Sequence, residues 1–151
     1  MKLCIGSDHA GFELKEIIRD HVAADGAEVV DVGTHSIEPV DYPDYAAKVG
    51  SCVSIGECER GILICGAGIG MAMVANKFPR VRAGVASDAY VARMSRAHND
   101  ANVLVLAGRI VDEDTAKEIV DTWLAAEFEG GRHARRVAKI AEIEESVRCQ
   151  S

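Results

Sequence analysis

Short apolar segments alternate with longer amphipathic segments along the whole chain. We predict strands at the short segments, which are residues 2–6, 28–32, 61–65, 83–86 and 103–107. Most of them are continuously apolar, which is typical of parallel strands that are covered on both faces of the sheet. The pattern therefore predicts a parallel sheet buried between two layers of helices.

The longer segments have the three- and four-residue apolar spacing of amphipathic helices. In the first of them, Leu14, Ile17, Ile18 and Val22 form an apolar face, and Lys15 is assigned to the polar face. The further predicted helices run from about 43 to 55, from 70 to 79, from 88 to 98, from 112 to 124 and from 132 to 148.

Five strand–helix units within 151 residues predict a single domain, residues 1–151, with a doubly wound (Rossmann-like) α/β fold. Its five-stranded parallel sheet would carry an extra C-terminal helix. The right-handed connections of such a sheet place every strand-to-helix loop at one edge, where ligands bind. We expect the extra helix, 131–148, to pack on a partner subunit, with packing on its own domain as the alternative.

The composition of the chain limits the kinds of molecule that the protein can bind. The chain has 24 acidic and 17 basic residues and a net charge of -7, so its average surface repels polyanions. This argues against a nucleic-acid or anionic-membrane binder, but not against one small anionic ligand. No apolar run approaches the roughly 18 residues of a membrane span, and early charges interrupt any signal-peptide core. We therefore expect a cytoplasmic protein, and the odd number of cysteines, five, is typical of a reducing compartment.

The strongest local signal is a glycine-rich loop, Cys65-Gly66-Ala67-Gly68-Ile69-Gly70, between the third strand and its helix. Glycines let a ligand approach the backbone, and a helix start offers unpaired N–H groups to an anion. The dinucleotide fingerprint fails, because its third glycine position holds Met71. Asp88 still lies where a ribose-binding acid would stand, although it or Ser87 could simply cap the fourth helix. A non-catalytic nucleotide-binding module therefore stays open as an alternative.

Cys65 stands where the third strand enters this loop. Free cysteine is most often a small buried hydrophobe, but a helix N-terminus lowers the pKa of a thiol, and a thiolate can act as a base. We therefore predict that Cys65 is reactive. The remaining cysteines are interpreted as structural or incidental; they are Cys4, Cys52, Cys58 and Cys149.

Other polar residues stand at element ends. Asp8 and His9 follow the first strand, and Asp8 could also serve only as a helix cap. His98 ends the fourth helix, where the dipole favours a protonated imidazole, although an exposed or core histidine is the alternative. Arg132 and Arg136 are four residues apart on the last helix, so that they can hold a phosphate together or remain solvated.

Taken together, these segments resemble the type B ribose-5-phosphate isomerases, a family that also includes galactose-6-phosphate isomerase subunits. The resemblance rests on six segments: GSDHAGFELK (6–15), VDYPDYA (40–46), GILICGAGIGM (61–71), ANK (75–77), SRAHNDANVL (95–104) and EGGRHARRV (129–137). It implies an aldose–ketose isomerase that interconverts ribose 5-phosphate and ribulose 5-phosphate through an enediolate. It also implies a homodimer or a dimer of dimers that uses neither a metal nor another cofactor.

The resemblance further implies roles for individual residues. Cys65 would move a proton between C1 and C2 of the sugar, and His98 would open the furanose ring. His9, Arg132 and Arg136 would face the phosphate. The other substrate-binding residues would be Asp8, Tyr42, Gly66, Ala67, Gly68, Ile69, Gly70, Asn99 and Arg109. Each site would be shared, with His98 and the arginines contributed by the neighbour of the chain that provides Cys65.

Ala67 departs from the family pattern, because this position is commonly Thr or Ser. The backbone N–H remains, but a hydroxyl that could stabilise the enediolate is missing, and loss of one such donor can cost on the order of 100-fold in rate. We therefore keep two alternative substrate classes open. These are a hexose 6-phosphate, such as that of allose or galactose, and a tetrose phosphate.

Overall fold

The computed structural model describes residues 1–150, and its centre is a five-stranded parallel sheet with the strand order β2-β1-β3-β5-β4. The strands are β1 (Lys2–Ser7), β2 (Glu28–Asp31), β3 (Arg60–Cys65), β4 (Ala83–Val85) and β5 (Val103–Ala107). The predicted doubly wound parallel sheet is confirmed. The apolar runs of β1, β3 and β5 form the buried centre, whereas β2 and β4 are the less buried edge strands.

A short 3₁₀ turn, His9–Gly11, precedes the six helices. The helices are α1 (Phe12–Ala24), α2 (Tyr42–Ser54), α3 (Ile69–Ala75), α4 (Ala89–Asn99), α5 (Glu113–Ala125) and α6 (Gly131–Arg148). Only α3 differs clearly from its prediction, because it stops at Ala75. There the side chain of Asn76 accepts from the N–H of Ala83 and donates to its C=O, which ties the chain to β4.

The sheet separates two apolar cores, because successive side chains of a strand point to opposite faces. One core lies under α1, α4 and α5 and includes Leu3, Ile64 and Trp123. The other lies under α2 and α3 and includes Leu63 and Val105. No helix within residues 1–150 is long and apolar enough to cross a membrane.

Lys15 corrects the assignment of the polar face of α1. Its side chain has no exposed surface, and its Nζ lies 2.7 Å from Oε1 of Glu16 and 2.5 Å from Oδ2 of Asp31. Burial opposes ionisation of Asp31, but hydrogen bonds from Lys15 and the N–H of Gly33 outweigh it and lower the pKa of Asp31. Lys15 therefore joins α1 to the end of β2 instead of facing solvent.

The predicted site residues lie at the two ends of the parallel strands. We call the end of the sheet where the strands finish the carboxyl edge, and the end where they begin the amino edge; neither term refers to the lateral strands β2 and β4. Asp8, which follows β1, and Cys65, which ends β3, belong to the carboxyl edge. Helix α4 returns from that edge, so its last turn, with His98, lies at the amino edge beside the start of β5.

Candidate active site

The glycine loop after β3 wraps around the thiol of Cys65. Gly68 has a φ of 80°, which places it in the left-handed region that favours glycine, and its N–H donates to Sγ of Cys65 over 3.1 Å. The side chain of Cys65 is only 6% exposed. Ala67 and Ile69 face solvent on the loop surface, so the thiol is covered mainly by its own loop.

Burial outweighs the effect that the helix start has on the pKa of Cys65. Burial raises the pKa of this thiol, and the nearby Asp8 carboxylate raises it as well. The N–H groups of Gly68, Met71 and Ala67 lower it but do not outweigh the loss of solvent. Cys65 is therefore predominantly a thiol at neutral pH, and its environment makes the proton harder to remove.

Asp8 caps the turn after β1 and also lies close to Cys65. Its Oδ1 accepts from the N–H of Gly11 over 3.0 Å, which caps the 3₁₀ turn, and the carboxylate also acts electrostatically on Cys65. Gly11 is required here, because a Cβ atom would lie 2.3 Å from the carbonyl oxygen of Ile64. This close packing holds the 8–11 turn directly against the end of β3.

His9 is oriented by a single backbone contact. Its Nδ1 accepts from the N–H of Val40 over 3.2 Å. Since a ring nitrogen that accepts carries no proton, the neutral imidazole has its proton on Nε2. His9 therefore presents an N–H donor, which suits a hydroxyl or an anionic oxygen.

Tyr42 and Arg109 close the sides of the glycine loop. A Cβ atom at Gly70 would lie 2.6 Å from the ring of Tyr42, so the ring rests on the loop backbone. The side chain of Arg109 lies against Gly66, and the N–H of Arg109 donates to the carbonyl of Gly66 over 3.2 Å. The structure thus brings together the predicted residues of the carboxyl edge, which are Asp8, His9, Tyr42, Cys65, Gly66, Ala67, Gly68, Ile69, Gly70 and Arg109.

The amino edge holds a second cluster, formed by His98, His133 and Glu129. The two imidazole rings are stacked, with centroids 4.1 Å apart and an angle of 6° between the planes. Nε2 of each ring lies 3.7 Å from Oε2 of Glu129. Burial, His98 and Arg132 lower the pKa of His133. His133 therefore offers His98 a stacking surface that is mainly neutral at pH 7.

Sequence reasoning missed His133 and Glu129. The available signal was their four-residue spacing within the segment EGGRHARRV, which puts a carboxylate and an imidazole one helical turn apart. Their meeting with His98 depends on the start of α6, which is joined to the end of α4 by a hydrogen bond from the N–H of Glu129 to the carbonyl of Ala97.

Arg132, Arg136 and Asn99 also lie at the amino edge. All three are exposed, and within residues 1–150 neither arginine forms an ion pair. Two unpaired guanidinium groups beside an imidazole cluster provide a local anion-binding surface on an otherwise acidic chain.

One chain does not bring Cys65 and His98 together. Cys65 is paired with Ala107 at the end of β5, whereas His98 lies near Val103, at the beginning of that strand. A five-residue strand separates the two edges by roughly 13 Å. The sequence-predicted residues therefore form two groups, one at each edge of the sheet.

Asp88 has a structural role. Its Oδ1 accepts from the N–H of Val91 over 2.8 Å, and Asp88 is thus the N-cap of α4. Of the two residues predicted as possible caps, Asp88 is therefore the cap and Ser87 is not.

Three clusters of potential metal ligands occur within residues 1–150: Cys4, Cys52 and Cys58; His98, Glu129 and His133; and His21, Asp25 and Asp121. None of these clusters includes Cys65. The carboxyl edge instead combines a thiol, a buried carboxylate and a series of backbone N–H donors. That combination suits proton transfer on a small anionic substrate.

Fold and site together define a doubly wound α/β protein with a buried thiol at the carboxyl edge of the sheet. The Ribose/Galactose Isomerase family model matches residues 3–140 of the chain. The chain therefore belongs to the ribose/galactose isomerase family.

Individual relatives are similar over nearly their whole length. The chain is 51% identical to ribose-5-phosphate isomerase B of Escherichia coli K12, over 95% of this chain and 97% of the relative. It resembles a solved structure of the Clostridium thermocellum ribose-5-phosphate isomerase B at 57% identity with a TM-score of 0.96, covering 97% and 99% of the two chains. The corresponding Mycoplasma genitalium enzyme, solved with bound ribulose-5-phosphate, is 42% identical, with a TM-score of 0.92 and coverage of 95% and 96%.

Proposed function

We propose that this aldose–ketose isomerase interconverts ribose 5-phosphate and ribulose 5-phosphate. The observation that carries the proposal is the buried Cys65 thiol, set between the Asp8 carboxylate and the N–H donors of the glycine loop. The similarity to ribose-5-phosphate isomerases, one of them solved with bound ribulose-5-phosphate, supports the same substrate. An enediolate mechanism needs these elements, namely a base near the reacting carbons and donors for a transient oxyanion.

In the proposed reaction, Cys65 first loses its thiol proton to solvent, and the resulting thiolate removes the proton from C2 of the open aldose and returns it to C1. A second proton moves from the O2 to the O1 oxygen, so that the carbonyl and hydroxyl groups exchange places. The N–H groups of residues 66–70 stabilise the negative charge that develops on oxygen. Asp8 and Tyr42 bind sugar hydroxyls at the sides of the loop, and His9 contributes its Nε2–H donor.

The site is completed by a second subunit in this proposal. His98 and Asn99 of the neighbouring chain act on the ring and the hydroxyls, and Arg132 and Arg136 of that chain bind the phosphate. Arg109, at the side of the glycine loop, also binds substrate. Two observations support a homodimer or a dimer of dimers: the separation of the two edges within one chain, and the exposed apolar side chains of Ile140 and Ile143 on α6.

The direct test uses the purified full-length chain, ribose 5-phosphate or ribulose 5-phosphate, and EDTA. We expect conversion in both directions to the same equilibrium mixture, because none of the proposed steps needs a metal. Absence of aldose–ketose exchange with both pentose phosphates, in a protein that is folded by circular dichroism, would refute the assignment.

A second candidate substrate class is favoured by Ala67. Its exposed methyl group replaces a donor, so the loop holds the enediolate with backbone N–H groups alone. Comparison of kcat/KM for tetrose, pentose and hexose phosphates separates the candidates. The pentose assignment predicts the highest kcat/KM for ribose 5-phosphate. A higher kcat/KM for an allose, galactose or erythrose phosphate would assign the enzyme to that sugar instead.

All five cysteines are free thiols in the structure. This supports the proposal that the enzyme works in a reducing compartment, the cytoplasm, because free thiols persist there. Preservation of Cys65 as a thiol is a condition of its role as a base.

A further inference from the structure

Three cysteines that the proposed reaction does not use meet in the core between α2 and the sheet. Cys4 lies on β1, Cys52 on α2, and Cys58 in the turn between α2 and β3. All three are buried, and their Sγ atoms all lie within 4.8 Å of one another. The sequence positions 4, 52 and 58 give no sign of this cluster.

The backbone holds the three thiols in place. After α2 ends, the N–H of Glu57 donates to the carbonyl of Cys52 over 3.0 Å, and the N–H of Cys58 points to the same oxygen at 3.4 Å. Next, the N–H of Glu59 donates to the carbonyl of Lys2, which ties the turn to the start of β1. The cluster is thus built from three elements that are linked by hydrogen bonds.

Access to the cluster exists on one side. Cys52 lines a surface cavity of about 480 Å³ together with Val32, Lys48 and Phe78. The thiols belong to the apolar core under α2 and α3, and the charged side chains of Lys2 and Glu57 lie near Cys58. A small ion can therefore reach Cys52 from solvent, whereas a bulky ligand cannot reach Cys4.

We propose that Cys4, Cys52 and Cys58 form a three-coordinate site for a soft, thiophilic cation of the copper(I) type. Sulfur-only ligation selects soft cations. Three sulfurs at about 2.3 Å from a central ion lie about 4 Å apart, which agrees with the observed limit of 4.8 Å. Structural zinc sites have four protein ligands, and this cluster has three.

Binding exchanges protons for the cation. Burial raises the pKa of Cys4 and raises that of Cys58 to about 12, and the neighbouring thiols add to both shifts. Each ligand thus enters as a thiol, loses its proton to solvent and forms one sulfur–metal bond, with no change of oxidation state. Lys2 opposes the shift of Cys58 and so favours the negative charge of the loaded site, whereas Glu57 does the opposite.

This site is separate from the reaction. Cys4 is paired with Gly61, the second residue of β3, whereas Cys65 is the last residue of that strand. A cation held by the cluster contacts no residue of the proposed active site.

The test uses the full-length chain with Cys65→Ser and Cys149→Ser, which leaves the cluster as the only source of thiols. The reduced protein is titrated with copper(I), without oxygen, in competition with a chromophoric copper(I) chelator. We expect one copper per chain, and at least about 100-fold weaker binding after each of Cys4→Ala, Cys52→Ala and Cys58→Ala. Ser54→Ala, on the same helix as Cys52 but in contact with Pro79, is the control and should leave binding unchanged.

Two results would overturn the proposal. One is a folded double variant that retains no copper against the chelator, which would leave the cysteines as core packing only. The other is copper that remains bound after all three cysteines are replaced. If the alanine variants do not fold, X-ray absorption of the copper-loaded double variant decides, because sulfur alone in the first coordination shell supports the site and nitrogen or oxygen contradicts it.

Discussion

The two edges of the sheet differ in how completely one chain builds them. At the carboxyl edge, Cys65 and Asp8 are buried, and neighbouring atoms leave no room for a Cβ atom at Gly11 or Gly70. At the amino edge, His98 is partly exposed, and the arginines of α6 extend into solvent without partners within residues 1–150. One chain therefore buries and fixes the groups of the carboxyl edge, whereas it leaves those of the amino edge exposed on its surface.

This difference has a physical reason. A base that must remove a proton from carbon needs a fixed position and little water, which requires burial inside one chain. A phosphate is bound by exposed, positively charged side chains, and Arg132 and Arg136 on α6 are of this kind. The contrast between a buried edge and an exposed edge supports the proposed site between subunits. The predictions below test this contrast between the edges.

Replacement of Cys65 should have the largest effect. Cys65→Ala removes the proposed base but keeps the loop, so we expect kcat to fall by about 1,000-fold, within the range for loss of a general base. Initial rates with ribose 5-phosphate measure the change. Cys149→Ala, which removes the exposed thiol, is the control and should retain full activity. A loss of less than tenfold for Cys65→Ala would contradict the role as base.

His98→Ala should lower kcat by about 100-fold, because ring opening loses its acid–base group. Mixing this variant with Cys65→Ala and allowing the subunits to exchange tests the shared site. Half of the dimers are then mixed, and each has one intact site, so about a quarter of the wild-type activity should return. Mixed dimers that stay inactive would place both residues in the site of one chain.

The rate of Cys65 alkylation by iodoacetamide should rise about tenfold per pH unit from pH 7 to pH 9, since only the thiolate reacts. The expectation follows from the raised pKa of Cys65, which is caused by burial and by Asp8. Mass spectrometry of the peptide that contains residue 65 measures the rate. A plateau below pH 8 would mean that the loop N–H groups dominate the pKa after all.

Arg136→Ala should raise KM for the sugar phosphate by about tenfold with a smaller change in kcat, because it removes a charge that binds substrate and transition state alike. Arg148→Ala is the control on the same helix, since Arg148 is exposed and lies near Glu145, at the other end of α6. Equal effects of the two substitutions would exclude a specific phosphate contact at Arg136.

The smallest effect is expected for Ala67→Ser. Ala67 is exposed on the loop, so a hydroxyl can be added there without displacing the core. We expect kcat with ribose 5-phosphate to increase about fivefold, which is less than the effect of removing a donor from a fully adapted oxyanion site. An unchanged kcat would show that the backbone N–H groups already suffice.

Much of the carboxyl edge could be predicted from the sequence because it is contiguous. An apolar strand followed by Cys65 and alternating glycines specifies a strand, a loop and a helix start within ten residues. Asp8 and His9 follow the same rule after β1. Parallel strands then bring these loops to one edge by topology alone.

The amino edge could not be completed in this way. His98 and Arg132 were recognised separately, but the stacking of His98 on His133 depends on how α6 meets α4. The direction of the pKa shift of Cys65 could not be predicted, because the sequence shows the helix start but not the depth of burial. Lys15 was assigned to the surface because its partner Asp31 is sixteen residues away, on β2.

The sequence by itself determined the order of the elements, the parallel sheet and the reactive loop, because these depend on residues close together in the chain. Only the tertiary structure decided which side chains lose water and which distant groups meet. The buried Lys15–Asp31 pair, the imidazole stack and the cluster of Cys4, Cys52 and Cys58 are all of this second kind. Burial and long-range contact are properties of packing, and no local pattern encodes them.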